Sequence, residues 1–166
     1  MIRPVLQYPD PRLARKSVEI ETITPAIREL AEDMVETMYA RDGIGLAAPQ
    51  VGEAIRLITV DVSGPEKRAD LRILVNPRLT LGEGEVESEE GCLSVPDLRS
   101  VVRRAPRVTV TATDLDGNPI TIEADELLAI CLQHECDHLE GTLFIDRVSR
   151  LKRMMYDRKI DKKAKK

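Results

Sequence analysis

Residues 125–140, DELLAICLQHECDHLE, constrain this chain more than any other stretch. Leu127, Leu128, Ile130, Leu132 and Leu139 fall on nearly every side of a helix drawn through them. A helix that is apolar all round is normally covered by other elements. Yet the same stretch holds both of the chain's histidines, His134 and His138, with Glu135 directly after the first. Residues four apart share one helical face. The chain must therefore bury this helix while leaving one face of it free for polar chemistry. Asp125 near the start and Gly141 just past the end match helix boundary preferences.

The covering elements can be read in outline. Residues 24–40 predict a helix: Thr24 can cap it, Pro25 suits its first position, and Ile27, Leu30, Ala31, Met34 and Met38 recur at helical spacing. Residues 148–163 predict another, with Val148, Leu151, Met155 and Ile160 as its apolar positions. Between them, IRLITVDV at 55–62 and LRILVNP at 71–77 read as strands, and VTVTATDLDGNPITIEA at 108–124 as a hairpin turning at Asp116-Gly117. Helices with short antiparallel strands between them indicate an α+β fold. At 166 residues the chain is expected to form one domain, a catalytic body of 1–147 with 148–166 as its C-terminal helix and tail. With no tryptophan and one phenylalanine, the core must be mostly Leu, Ile, Val, Ala and Met.

Charge and cysteine content narrow the setting. From Arg147 onward ten basic residues face two acidic ones, a net of +8, which leaves −12 for residues 1–146. Such a tail is either a solvated helix end or a contact for a polyanion. No stretch approaches a membrane span, and the opening MIRPVLQYPDPRLARKS has no apolar segment of the secretory kind, so no membrane association and a cytoplasmic location are expected. Three cysteines, an odd number, argue against a disulfide framework and for a reducing compartment.

His134-Glu135-Cys136-Asp137-His138 is the HExxH pattern, in which two imidazoles converge on a metal and the glutamate reaches a water. A catalytic site needs a third protein ligand and an open position. No third histidine exists, and the downstream helix offers Asp157 and Asp161 but no glutamate. Cys136 lies about 200° round the helix from each histidine and faces away, and Cys131 is about 10.5 Å along the axis from His138. Cys92, in EEGCLSVP, could approach from a separate loop.

GIGLAAPQ at 43–50, EGCLS at 90–94 and HECDH at 134–138, in that order, resemble the three signature motifs of the peptide deformylases, and the likeness runs from YPDPRL to the terminal helix. The resemblance implies antiparallel β-sheets surrounding the buried HExxH helix, with an N-terminal and a C-terminal helix. It implies hydrolytic removal of the N-formyl group from N-formylmethionine on newly made polypeptides. Cys92, His134 and His138 would be the metal ligands and Glu135 the catalytic glutamate. Gln50 and the Leu93 N–H would hold the formyl oxygen. Gly43, Ile44, Gly45, Leu127, Ile130 and Cys131 would border the methionine pocket, with Glu90 near its wall and Arg99 farther out along the peptide. The metal would be Fe2+ in the cell, with Zn2+, Ni2+ or Co2+ possible in purified protein. Nascent N-formylmethionyl chains would be the substrate, and the ribosome a partner of the basic C-terminal helix. Without the resemblance, Gln50 would read as an exposed loop residue. Pro49, where some members carry Thr, and Ser88, often apolar, depart from the pattern without touching the reacting groups. Two other readings stay open on the residues alone: an HExxH endopeptidase, and a non-enzymatic RNA- or ribosome-binding protein with a structural metal.

Overall fold

The computed structural model describes residues 1–165, so the final residue of the basic tail, Lys166, lies outside the described residues. Helix α1 spans Pro25–Ala40; strands β1 and β2 span Gly45–Ala47 and Leu57–Val60; α2 is a single turn, Gly64–Lys67. Strands β3 (Arg72–Leu81), β4 (Val86–Cys92), β5 (Val95–Arg104), β6 (Arg107–Thr113) and β7 (Pro119–Asp125) follow, then α3 (Glu126–Leu139) and α4 (Arg150–Ala164). Three 3-10 turns, Pro11–Ala14, Ala48–Val51 and Phe144–Arg147, punctuate the path. All strand pairs are antiparallel, in a five-stranded sheet of order β1-β2-β3-β6-β7 and a separate β4-β5 pair. The architecture is α+β, with the antiparallel sheets packed about α3 and helices toward both ends of the chain.

Strand alternation places the helices. Side chains of a strand point to opposite faces in turn. On β2, Ile58 and Val60 join the cluster that packs on α3, while Leu57 joins the cluster of α1. All four residues of β2 are buried because the sheet is covered on both faces there. Each such aliphatic side chain contributes about 1.5–3 kcal/mol on full burial. Thr24 Oγ1 accepts the Ile27 N–H at the start of α1, as its sequence predicts. Gln133, fully inside, zips α3 to the β5–β6 corner: its Oε1 accepts the Ala105 N–H and its Nε2 donates to the Ala105 carbonyl, both at 2.9 Å.

Three local expectations need correction, and one hairpin lies outside them. The helix of 125–140 is not covered all round: Leu127 is half exposed, and Asp125 stands at the N-cap without a side-chain cap bond. The β4–β5 hairpin has no counterpart in the sequence reading, because its outward positions carry charge on a pair of strands with one face in solvent. In α4, Leu151 and Met155 are exposed, and the buried anchor is Tyr156, packed with Leu13, Val95 and Phe144. The tyrosine hydroxyl donates to the Pro96 carbonyl, and Val148 and Ile160, partly buried, pack against the same cluster, so β5 and half of the expected apolar positions seat this helix. Gln50 is buried, not an exposed loop residue.

Candidate active site

The site forms where α3, β1 and the β4–β5 turn meet. Four-residue spacing on α3 brings the His134 and His138 rings edge to face, centroids 5.2 Å apart. A register irregularity between Glu90 and Cys92, with Gly91 inside it, turns the end of β4 toward α3. Cys92 Sγ then lies 3.5 Å from His138 Nε2. One potential ligand atom from each of Cys92, His134 and His138 lies within 4.8 Å of the others, and among the described residues no other such cluster of three occurs. A thiolate and two imidazoles suit iron(II), zinc, nickel or cobalt.

Around these three groups the side chains are held by specific bonds. His134 Nδ1 faces Glu90 Oε1 at 3.0 Å, which makes Nδ1 the protonated nitrogen and leaves Nε2 toward the site. Glu90 is gripped in turn by Arg104, whose Nε and Nη2 donate to its two oxygens at 2.9 and 2.8 Å. Burial alone would raise the Glu90 carboxyl, but Arg104 and His134 outweigh it and hold it at about 2. Arg104 Nη1 also donates to Asp137 at 2.7 Å. Glu90 therefore acts toward His134 from the pocket wall. Arg104 and Asp137 were not singled out in the sequence; the available signal was an arginine at an inward position of an alternating strand, which requires a buried acid partner.

Glu135 is buried, and its Oε2 is a buried polar atom without a partner. Such an orphan oxygen calls for a water or a reacting group. Burial raises its carboxyl to about 7, against the nearby positive charge of His134 and Arg104. Burial also dominates at His138, holding it well below the ordinary histidine range, and His138 Nδ1 is likewise without a partner. At His134 the Cys92 and Glu90 partners overcome burial and raise the imidazole. A group that the proton prefers in this way is also where a cation would compete with it, since ligation requires the neutral ring.

Gln50 sits in the 3-10 turn after β1. Its Oε1 accepts the Ala47 N–H at 2.9 Å, and its Nε2 donates to Ser94 Oγ at 3.1 Å and toward Cys92 Sγ at 3.6 Å. Carbonyl oxygen and amine are thereby sorted, with the donor end toward Cys92. Ser94, fully buried, was missed in the sequence because nothing marks one serine in a turn.

A cavity of about 580 Å3 opens onto these groups. Gly43, Ile44 and Gly45 form one wall, Leu127, Ile130 and Cys131 another, and Leu93 lies across from them. Cys131 Sγ is against the Ile44 carbonyl. Arg99 lies at the rim, two-thirds exposed and 3.5 Å from Glu89. His138 is not part of the lining but lies beneath it, buried.

A family model for polypeptide deformylase matches residues 2–154. A peptide deformylase from Legionella pneumophila is 45% identical, with a TM-score of 0.92 over 99% of this chain and 96% of that one. A peptide deformylase from Ehrlichia chaffeensis, solved in complex with actinonin, is 38% identical, with a TM-score of 0.89 over 98% of this chain and 97% of that one. The Cys-His-His cluster and the family together indicate a divalent metal.

Proposed function

Because the chain belongs to the polypeptide deformylase family, we propose that Cys92, His134, His138 and Glu135 are the groups with which this hydrolase removes the formyl group from an N-terminal methionine. One observation carries the assignment: a thiol and two imidazoles converge within 4.8 Å beside a buried carboxyl oxygen that has no partner. Cys92 Sγ and the His134 and His138 Nε2 atoms would hold the metal. A bound divalent metal supplies Lewis acidity, acidifying water and polarising the formyl carbonyl.

The chain's own residues do the rest. Glu135, raised to about 7, can accept a proton from the attacking water and deliver it to the departing methionine nitrogen, so that formate and a free amine leave. Gln50 Nε2 and the Leu93 N–H would donate to the oxyanion that develops on the formyl oxygen, and the Gln50 amide does so without adding charge. Glu90 and Arg104 keep the His134 ring in one tautomer. Apolar walls and the soft Cys131 sulfur suit a methionine thioether, with Ile44 and Gly45 offering backbone to an extended peptide. Arg99 at the rim would meet the peptide farther along.

Fe2+ would be the cellular ion, as the family resemblance implies, while the donor set itself accommodates Zn2+, Ni2+ or Co2+ as well in purified protein. Three free cysteines fit a cytoplasmic setting, where nascent chains are the substrate. Residues 1–147 would form the catalytic body, with 148–166 as its docked helix and tail. The exposed basic residues of α4 would contact ribosomal RNA phosphates. The endopeptidase reading needs a third ligand from the downstream helix, whereas the third member of the cluster is Cys92.

The test is formate release from a formyl-methionyl tripeptide by anaerobically purified protein. Release abolished by a chelator and absent from the acetyl-methionyl peptide is expected. Metal-replete protein that releases no formate would sink the proposal.

A further inference from the structure

The 3-10 turn Phe144–Arg147, between α3 and α4, reaches His134 by two routes. From the ring face, Phe144, the chain's one phenylalanine and fully buried, stacks on His134 with centroids 6.1 Å apart and planes at 30°. From the other end of the turn, Arg147 clasps Asp137 with two bonds, Nε to Oδ2 at 2.7 Å and Nη2 to Oδ1 at 2.8 Å. Asp137 meets Arg104 at 2.7 Å, Arg104 clasps Glu90, and Glu90 accepts the His134 Nδ1–H hydrogen bond.

The chain of contacts alternates in sign: Arg147, Asp137, Arg104, Glu90, then the imidazole. Arg104 is the shared member, with one guanidinium serving two carboxylates. Its side chain is 2% exposed, and that of Asp137 is 15% exposed. Neither group can turn to water for compensation at low cost. A second arginine on Asp137 supplies that carboxylate with its own cation, so that Arg104 stays committed in its fork to Glu90. Planar fork-on-carboxylate pairing fixes geometry as well as charge, which lysine cannot reproduce.

We propose that Arg147 is a positioning residue for the metal ligand His134, acting through Asp137, Arg104 and Glu90. This rests on the reading of Cys92, His134 and His138 as the metal's ligands. Outer partners of a ligating histidine typically change metal affinity or activity about 10–100-fold when lost, and a group further removed acts more weakly.

The experiment loads full-length protein with Co2+ and measures its loss to a competing chelator, together with the cobalt absorption spectrum, for wild type, Arg147→Met, Arg147→Lys, Asp137→Asn and the Arg147→Met/Asp137→Asn double variant. Arg150→Met, an exposed change on the neighbouring turn, is the control. Arg147→Met should release cobalt about 3- to 10-fold faster with a shifted spectrum. Arg147→Lys should recover only part of the loss, Arg150→Met should match wild type, and the double variant should be no worse than Asp137→Asn alone. Cobalt retention and spectrum unchanged in Arg147→Met would overturn the proposal, as would effects of the two substitutions that simply add. Wild-type protein that held no cobalt would instead overturn the ligand reading, and this inference with it.

Discussion

A Cβ built on Gly45 would lie 2.9 Å from Cys131 Sγ and 2.9 Å from Glu135 Cγ and Cδ. β1 thus approaches α3 so closely that only a hydrogen fits between its backbone and the carboxylate proposed as the proton carrier. Gly45→Ala should displace Glu135 while leaving the cluster of Cys92, His134 and His138 in place. Because misplacing a reacting group by about 1 Å can cost about 10²-fold, kcat should fall about 10- to 100-fold with metal content unchanged. Steady-state kinetics beside metal analysis checks this; a variant with wild-type kcat would contradict the contact. At this scale the sequence was informative where chemistry needs a fixed spacing, as in HECDH, and silent where a role arises from tertiary contact. Glu90 was placed at the pocket wall, but its bond to His134 depends on β4 folding against α3, which no local pattern encodes. The same holds for the inward Arg104.

Among the elements, the segment from α1 to β2 supports the Gly43–Gly45 wall through one buried acid. Asp61 accepts the Tyr39 hydroxyl at 2.6 Å and the Ser63 N–H at 3.0 Å, while its own N–H donates to the Ile44 carbonyl at 2.8 Å. Burial pushes the Asp61 carboxyl upward, but the Ser63 and Tyr39 bonds outweigh it and hold it below the ordinary value. Burial and the same bond raise the Tyr39 hydroxyl to about 12. A lowered carboxyl favours the fold above its unfolded pKa, about 3.9, and that contribution disappears as pH falls through the folded value. Thermal unfolding of Asp61→Asn should therefore lie below wild type at pH 7, with the gap narrowing below about pH 4. A gap constant down to pH 2 would contradict the sign. Helix α1 and the β6–β7 hairpin were legible because cap, stripe and turn agree with the final packing. β4 and β5 were not, since Glu, Ser and Arg outnumber their apolar residues and the buried arginine imitates an exposed position.

On the scale of the whole molecule, charge and packing separate. The acidic body carries the site, and the basic end forms α4, pinned by Tyr156 to β5, by the Tyr8 hydroxyl to Asp157, and by Lys163 to Asp97 at 3.0 Å. Removing residues 148–166 would therefore also strip Tyr156 from a core cluster. A cleaner probe of the proposed ribosome contact reverses the exposed Arg158, Lys159 and Lys162 to glutamate. Co-sedimentation with ribosomes at low salt should fall sharply, and deformylation of a free tripeptide should not change. Co-sedimentation equal to wild type would remove the tail from the account. The tail's charge was visible in the sequence, while its seat was visible only in part: Val148 and Ile160 pack on the core as their spacing suggests, but Leu151 and Met155 are exposed and the buried anchor is a tyrosine.

The central claim is that Glu135 moves the proton while Cys92, His134 and His138 hold the metal. Glu135→Gln keeps the size and position of the side chain and removes its basicity, so metal content and formate release measured on one preparation separate the two roles. The account predicts a full complement of metal with turnover reduced about 10²- to 10⁴-fold. Turnover near wild type would show that Glu135 is not the proton carrier, and metal lost along with activity would show that it belongs to the binding set.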